Sequence, residues 1–357
     1  MRFEDTLFVS DLDGTLLGDA PRIPNEAEEL LRALIAEGLP FTVATARSWA
    51  STAPIIEGLG LRLPAVIYNG AHIVDPQTGK LLHSCTLPPQ QAESIWRLFR
   101  NAGVCVRVES MLEGRCRVSW LESMEDEGLR LYLGPRKGDT RFRPVEDEDR
   151  LLDGQPFQFA AMGRKAALQP VFEQLQTMGG LYAALIADSY DPDWHWLTCC
   201  RADATKASGV DHLRQLTGRK HIVCFGDNYN DLPMFSVADE AYAVANAALE
   251  VRAAATGVIG SNLELGVPQY LRRRAGAWPC PCCGFLTLPA PRECATAYIC
   301  PVCFWENDAF ISGDDEPSDE NHGMTLKEAR ENYRAFGACA KELREHVRKP
   351  APEEFPV

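Results

Sequence analysis

Stretches that are apolar on both faces alternate along the chain with stretches that are apolar on one face only. Residues 6–11 read TLFVSD, and the unbroken apolar run predicts a strand buried in a parallel sheet. Residues 24–38, PNEAEELLRALIAEG, place Leu30, Leu31, Leu34 and Ile35 on one helical face. Asn25 is the expected cap of that helix, Glu28 stands where a capping partner belongs, and Gly38 is the expected stop. Residues 40–46 (PFTVATA) and 64–71 (PAVIYNGA) predict a second and a third strand. The texture returns at 221–227 (HIVCFGD) and 241–247 (AYAVANA), with a helix following from 247. Strands alternating with helices predict an α/β fold on a Rossmann-like parallel sheet.

Between these segments the pattern changes. Residues 82–193 carry their own helical stretches, at 88–103 and 167–180, and strand candidates near 105–108, 157–162 and 182–187. This predicts an inserted α/β cap domain, with 143–156 as a polar connection inside it. The core then comprises residues 1–81 and 194–275. A basic linker after Tyr270, LRRRAGAWP, leads to a cysteine-rich domain over 277–345 and a tail over 346–357.

The length of 357 residues fits two or three domains, and 46% hydrophobic residues allow each a core. A formal net charge of −14 argues against a broad nucleic-acid or membrane-binding surface. No apolar run approaches the length of a membrane span, and the start of the chain does not read as a signal peptide. A cytoplasmic protein is expected. The 13 cysteines, an odd number, fit a reducing compartment and a metal better than a disulfide framework.

Chemistry gathers where strands end and helices begin, the edge at which open α/β sheets bind ligands. Asp11 and Asp13 follow the first strand, and they share one face if the chain stays extended. Gly14 then lets the backbone turn. Thr45 and Arg47 close the second strand. Lys206 opens a helix that Asp203 is placed to cap. Asp227, Asn230 and Asp231 follow the strand at 221–227. Singly, each has an ordinary reading: a DxD turn, a surface lysine, a helix-capping Asp231, an Asn69-Gly70 hairpin. Their order along the chain gives the set its meaning.

That order, D-x-D-G-T, a strand-end Thr, a Lys and G-D-x-x-N-D, resembles the haloacid dehalogenase superfamily. The match is to its Cof-type phosphatases with a large α/β cap. VIYNGA (66–71), AVANA (243–247) and SNLELGV (261–267) resemble further segments of that class. The likeness covers about residues 6–270. It departs from the pattern at Ala46, where Gly often stands, and before Lys206, where Pro and Gly are common. The resemblance implies that Asp11 is the nucleophile and forms an aspartyl-phosphate. It implies that Asp13 is the general acid and base. Asp11, Asp13 and Asp227 would hold Mg²⁺, with Asp231 supporting them from behind. Thr45, Arg47, Asn69, Gly70, Lys206 and Asn230 would bind phosphate or substrate. In the cap, Trp194, His195 and Trp196 of SYDPDWHW are available either to stack on a sugar or to pack as a hinge.

Six cysteines lie from Cys280 to Cys303. Cys280, Cys283, Cys300 and Cys303 have the spacing C-x₂-C-x₁₆-C-x₂-C. That is the spacing of a zinc ribbon with four thiolates around structural Zn²⁺. Cys282 stands inside the first pair, and spacing alone does not choose among Cys280, Cys282 and Cys283. Redox chemistry by C-x-x-C is the competing reading. PCPCCGFLTL, ICPVCFWEND and GMTLKEARENYRAFGAC resemble the cysteine-rich CPCC family, which implies a fold and a metal but no activity. In the last of these, Thr325 and Glu328 form an expected capping box, with Leu326, Ala329, Tyr333 and Phe336 on the covering face. Residues 280–340 hold four Lys plus Arg against ten Asp plus Glu. That balance repels nucleic acid and leaves a protein partner or a purely structural role.

The leading expectation is a Mg²⁺-dependent phosphatase of small phosphorylated metabolites. The alternatives are a mutase or phosphotransferase using the same intermediate, and a regulatory protein whose zinc-ribbon tail engages a protein partner.

Overall fold

The computed structural model describes residues 3, 5–188, 191–351, 354 and 355. Ser189 and Tyr190 of the aromatic cap stretch, and residues 352, 353, 356 and 357 of the expected tail, lie outside the described residues. Contacts divide the chain into two compact units: residues 1–43, 50–63 and 213–357, and residues 44–49 and 64–212.

The first unit is organised by a five-stranded sheet in the order Gly257–Ile259, Glu240–Val244, His221–Gly226, Thr6–Ser10, Phe41–Val43. Every neighbouring pair is parallel. Thr6–Ser10 and Glu240–Val244 are buried throughout, which is why their sequences show no polar alternation. Rings of Phe8, Phe225 and Tyr242 form a ladder across the sheet, with centroids 6.5 and 6.1 Å apart, and Tyr270 of the helix Gly266–Gly276 packs 4.7 Å from Tyr242. Helix Asn25–Ala36 buries Ala27, Leu31, Leu34 and Ile35. The residue before it, Pro24, takes the cap position without a side-chain hydrogen bond, so Asn25 does not cap. Gly38 ends the segment at φ 101°, a conformation that favours glycine.

One polar cluster is sealed within this apolar layer. Arg274, fully buried, donates to both oxygens of Glu240 at 2.8 Å. Glu240 also meets His221 at 2.7 Å and accepts from the Tyr242 hydroxyl at 2.6 Å. Burial pushes the Glu240 carboxyl up, but the hydrogen bonds from Arg274 and His221 outweigh burial and hold it down, from 4.5 to about 2. A carboxyl depressed in this way contributes stability above its unfolded value, and that contribution is lost as pH falls through about 2. Glu240→Gln leaves the arginine charge uncompensated and is expected to cost about 3 kcal/mol in urea unfolding at neutral pH. The deficit should shrink as the solution is acidified below the ordinary carboxylate range, because the wild type then loses the same charge.

The cysteine-rich end of the first unit is built from short pieces. Trp278–Pro279 pairs antiparallel with Leu286–Leu288, and Pro317–Ser318 with Met324–Thr325. Helix Leu326–Phe336 starts on the expected Thr325/Glu328 capping box and ends at Gly337, φ 82°. Leu326 and Ala329 are fully buried against the cysteines, Val302 and Trp305, with Tyr333 partly buried beside them.

The second unit holds a six-stranded sheet in the order Leu181–Ala187, Trp194–Arg201, Gln155–Arg164, Arg107–Leu112, Arg115–Leu121, Phe142–Val145. All pairs are antiparallel except the last. Helices Pro89–Asn101 and Lys165–Thr177 pack Ile95, Phe99, Leu168 and Val171 with Val108, Phe159 and Leu197. Helix Glu127–Leu133 packs Leu129 and Tyr132 with Val118 and Trp120 in a separate cluster that Trp196 joins. Leu197 and Trp196 part company because successive strand residues face opposite ways. Residue 194, the expected return point to the core, opens a strand of this sheet. Trp194 is buried, with the Arg164 guanidinium 4.4 Å from its ring. Trp196 donates to Asp188 at 2.8 Å and meets Tyr132 edge-on at 6.0 Å. Both rings are taken up in packing.

The segment at 64–71 differs from a plain third parallel strand. Val66 makes one parallel bridge to Ala44. Ala65–Ile67 then pairs antiparallel with His72–Val74, which pairs with Leu81–Ser84. The reversal comes from Tyr68 and Asn69, at φ 51° and 54°, and Gly70 at φ 103°. No helix among the described residues is long and apolar enough to cross a membrane.

Candidate active site and cysteine cluster

Strands Thr6–Ser10 and His221–Gly226 run side by side and in register, so the residues that follow them emerge at the same sheet edge. The Asp11 N–H donates to the Phe225 carbonyl at 2.9 Å, and Asp11 is buried. Asp13 is exposed. Gly14 turns the chain at φ 74°, and a Cβ there would stand 2.4 Å from Asp227 Oδ2. Only glycine fits so close to the second carboxylate.

Asp11, Asp227 and Asp231 each bring a carboxylate oxygen within 4.8 Å of the others. Asp231 is fully buried, and its Oδ2 accepts from the N–H groups of Asp227 at 2.9 Å and Asn228 at 3.0 Å. It therefore shapes the loop that carries Asp227, and with Asn228 it forms a capping box. Asn230 lies exposed on the same turn.

Three residues not singled out in the sequence hold this edge together. Thr15 donates to Asp227 Oδ1 at 2.8 Å. Asn246 Nδ2 donates to the Gly14 carbonyl at 2.7 Å, and its Oδ1 accepts from the Asn262 N–H at 3.0 Å. Asn262 Nδ2 donates to the Leu17 carbonyl at 2.8 Å. The signal was present in DGT, AVANA and SNLELGV, whose polar residues have no other reason to follow buried strands.

The second unit gathers the other polar positions. The Asn69 N–H donates to the Thr45 carbonyl at 2.9 Å, and the Arg47 N–H to Thr45 Oγ1 at 3.2 Å. Thr45 is buried and Arg47 half-buried. The Tyr68 N–H donates to the Arg47 carbonyl at 2.9 Å. A Cβ on Gly70 would lie 1.9 Å from the Thr205 carbonyl, so the Asn69-Gly70 turn is pressed against the start of helix Lys206–Thr217. Thr45, Arg47, Asn69, Gly70 and the buried Lys206 thus belong to one packed arrangement. Asp203 does not cap the helix. The Arg201 guanidinium holds its carboxyl below the usual range, and Thr205 and Ser208 exchange the capping hydrogen bonds instead.

Three carboxylates so close, two of them buried, repel one another. An oxygen-only set suits a hard divalent cation such as Mg²⁺. In the cysteine-rich end, Cys280, Cys283, Cys300 and Cys303 bring their sulfurs within 4.8 Å of one another. Cys280–Cys303 and Cys283–Cys300 are 3.6 and 3.7 Å apart. A tetrahedron with Zn–S near 2.3 Å has edges of about 3.8 Å, so the spacing fits Zn²⁺. The two pairs sit in matching backbone turns. Gly284 N–H donates to the Cys280 carbonyl at 2.9 Å, and Phe304 N–H to the Cys300 carbonyl at 2.8 Å. Gly284 and Phe304 have φ 82° and 67°. Buried Cys282 and exposed Cys294 are outside the quartet.

The sequence pattern of a family described as haloacid dehalogenase-like hydrolase matches residues 8–271, and that of cysteine-rich CPCC matches residues 278–354. The chain is 25% identical over 268 residues to a pyridoxal phosphate phosphatase of Escherichia coli (strain K12), across 73% of this chain and 95% of the other. It is 26% identical over 297 residues to a 5-amino-6-(5-phospho-D-ribitylamino)uracil phosphatase of Bacillus subtilis (strain 168), across 73% and 95%. Its fold is similar to that of a haloacid dehalogenase-like hydrolase from Bacteroides thetaiotaomicron, with TM-score 0.62, 22% identity and coverage of 75% and 98%. A Thermotoga maritima structure gives TM-score 0.62, 24% identity and coverage of 75% and 96%. The chain belongs to the haloacid dehalogenase-like hydrolase family and carries a cysteine-rich CPCC domain at its C-terminal end.

Proposed function

We propose that this chain is a Mg²⁺-dependent phosphatase of small phosphomonoesters, sugar or cofactor phosphates, acting through an aspartyl-phosphate on Asp11. The observation that carries this reading is the buried Asp11 set beside Asp227 and Asp231 at one sheet edge. Relatives named for pyridoxal phosphate and for a phosphoribitylamino-uracil support the substrate class.

In this reading an Asp11 oxygen attacks phosphorus as the bond to the leaving oxygen breaks, and Asp13 gives that oxygen its proton. The ionised Asp13 then takes a proton from water. The water oxygen bonds to phosphorus, the Asp11–phosphorus bond breaks, and inorganic phosphate leaves. Thr45, Asn69, Gly70 and Asn230 bind phosphoryl oxygens, Lys206 balances their charge, and Arg47 reaches the substrate. Asp11, Asp227 and the Asp13 carbonyl would hold Mg²⁺, with Asp231 fixing the loop behind them. Bound there, the cation would offset charge on the phosphoryl oxygens during transfer.

The test is an assay of the full chain on an aryl phosphate and a panel of phosphorylated metabolites. Hydrolysis is expected with Mg²⁺ and is expected to vanish in chelator and return on adding Mg²⁺ back. Turnover indifferent to chelation would contradict the reading.

A further inference from the structure

The CPCC domain contains a groove of about 800 Å³, well within the range of binding sites. Its apolar surface comes from Ile299, Phe304 and Leu343, and Ile299 is 44% exposed. Its rim carries Glu306, Glu320, Glu331 and Glu342, and no lysine or arginine lines it. None of these four carboxylates makes an ion pair among the described residues. The nearby Lys327 is engaged by Asp315 at 3.1 Å, and Arg330 by Asp314. Lys327 lies close enough to interact with Glu331, and His322 also lines the groove, but the glutamates outnumber these groups, and the excess of like charge favours a cation from outside.

The groove is preformed. The Cys339 N–H donates to the Cys303 carbonyl at 2.7 Å, tying one wall to the second cysteine turn. Asn332 Nδ2 donates to the Cys339 carbonyl at 2.8 Å. Asn321 accepts from the Glu306 N–H at 3.1 Å and donates to its carbonyl at 2.8 Å. Phe304 sits at φ 67° in the cysteine turn, and its ring packs 5.5 Å from the His346 ring. A rigid groove spends little ordering entropy on binding.

We propose that this groove docks a basic segment of a partner protein, with an apolar side chain on the floor and flanking arginines or lysines on the glutamate rim. The charge excludes nucleic acid and acidic peptides. It also disfavours a second copy of this chain, whose formal net charge is −14. The site is separate from the proposed hydrolase chemistry, so either can fail alone.

The probe is a short fluorescent peptide of alternating arginine and leucine, with a glutamate–leucine counterpart, titrated into the full metal-loaded chain and followed by anisotropy. Wild type is expected to bind the first and not the second. The variant Glu306→Gln/Glu320→Gln/Glu342→Gln is expected to weaken binding by about tenfold. The variant Glu26→Gln/Glu29→Gln/Glu37→Gln, which makes the same charge change in and just after the helix Asn25–Ala36, is expected to weaken it by less than about twofold. Ile299→Ser should weaken binding at high salt, where the charges are screened. Equal loss in both triple variants would reduce the effect to general charge and overturn the proposal. So would failure of wild type to bind, or concentration-dependent dimerisation abolished by the groove variant.

Discussion

Asp11→Asn should lose hydrolysis of an aryl phosphate by about four orders of magnitude or more, a nucleophile's loss rather than a loosened contact. The amide is nearly isosteric, and the neighbouring geometry rests on other atoms. The Asp11 backbone N–H keeps its bond to Phe225, and Asp227 keeps its bond from Thr15. Thermal stability should therefore hold or rise, because one of three crowded carboxylates becomes neutral. Asp13→Asn should also abolish turnover, but it leaves the nucleophile in place. The two variants separate at the first step: only Asp13→Asn can still become phosphorylated by an activated ester whose leaving group needs no proton. Steady-state rates, melting curves and a stoichiometric burst with an activated aryl phosphate check these outcomes. An Asp11→Asn enzyme with near-normal turnover would remove the residue from the chemistry.

The second large effect belongs to the cysteine quartet. The CPCC domain has a small apolar cluster centred on the cysteines themselves, so metal would supply much of its folding free energy, on the order of 10 kcal/mol. Cys303→Ala should release the metal and open the segment 278–354 to protease, while 8–271 resists. Phosphatase activity should survive in the trimmed product. Replacing the metal with Co²⁺ should give the absorption of a tetrahedral thiolate site, absent in the variant. Metal analysis that finds no bound ion in a wild type with an intact C-terminal domain would contradict a structural zinc site.

Much of the fold follows from local pattern. The apolar run at 6–10 and the spacing of Leu31, Leu34 and Ile35 require a buried strand and a one-faced helix wherever the rest of the chain goes. The Thr325/Glu328 box is equally local. The segment at 64–71 was less legible, because Ala65–Ile67 is apolar enough for either kind of pairing. Its partner is decided by the positive φ values of Tyr68, Asn69 and Gly70; the Asn69-Gly70 pair signals that hairpin, whereas nothing in the sequence signals the left-handed Tyr68. The strand at 194–201 was obscured in the same way, since its pairing with residues far away in the chain sets its place. At the site, the acidic residues stood out because carboxylates at strand ends have no packing role. Thr15, Asn246 and Asn262 did not, because small polar residues in loops are common; Thr15 holds the Asp227 carboxylate and the two asparagines hold backbone carbonyls.

The most direct measurement is chemical trapping of the intermediate. Enzyme quenched in acid during turnover and reduced with borohydride should carry homoserine at position 11, the product of an acyl phosphate, with Asp13 and Asp227 unchanged. Mass spectrometry of the peptide spanning the first strand reads this directly. Turnover with Asp11 unmodified at every quench time, or homoserine at position 13 instead, would contradict an aspartyl-phosphate on Asp11.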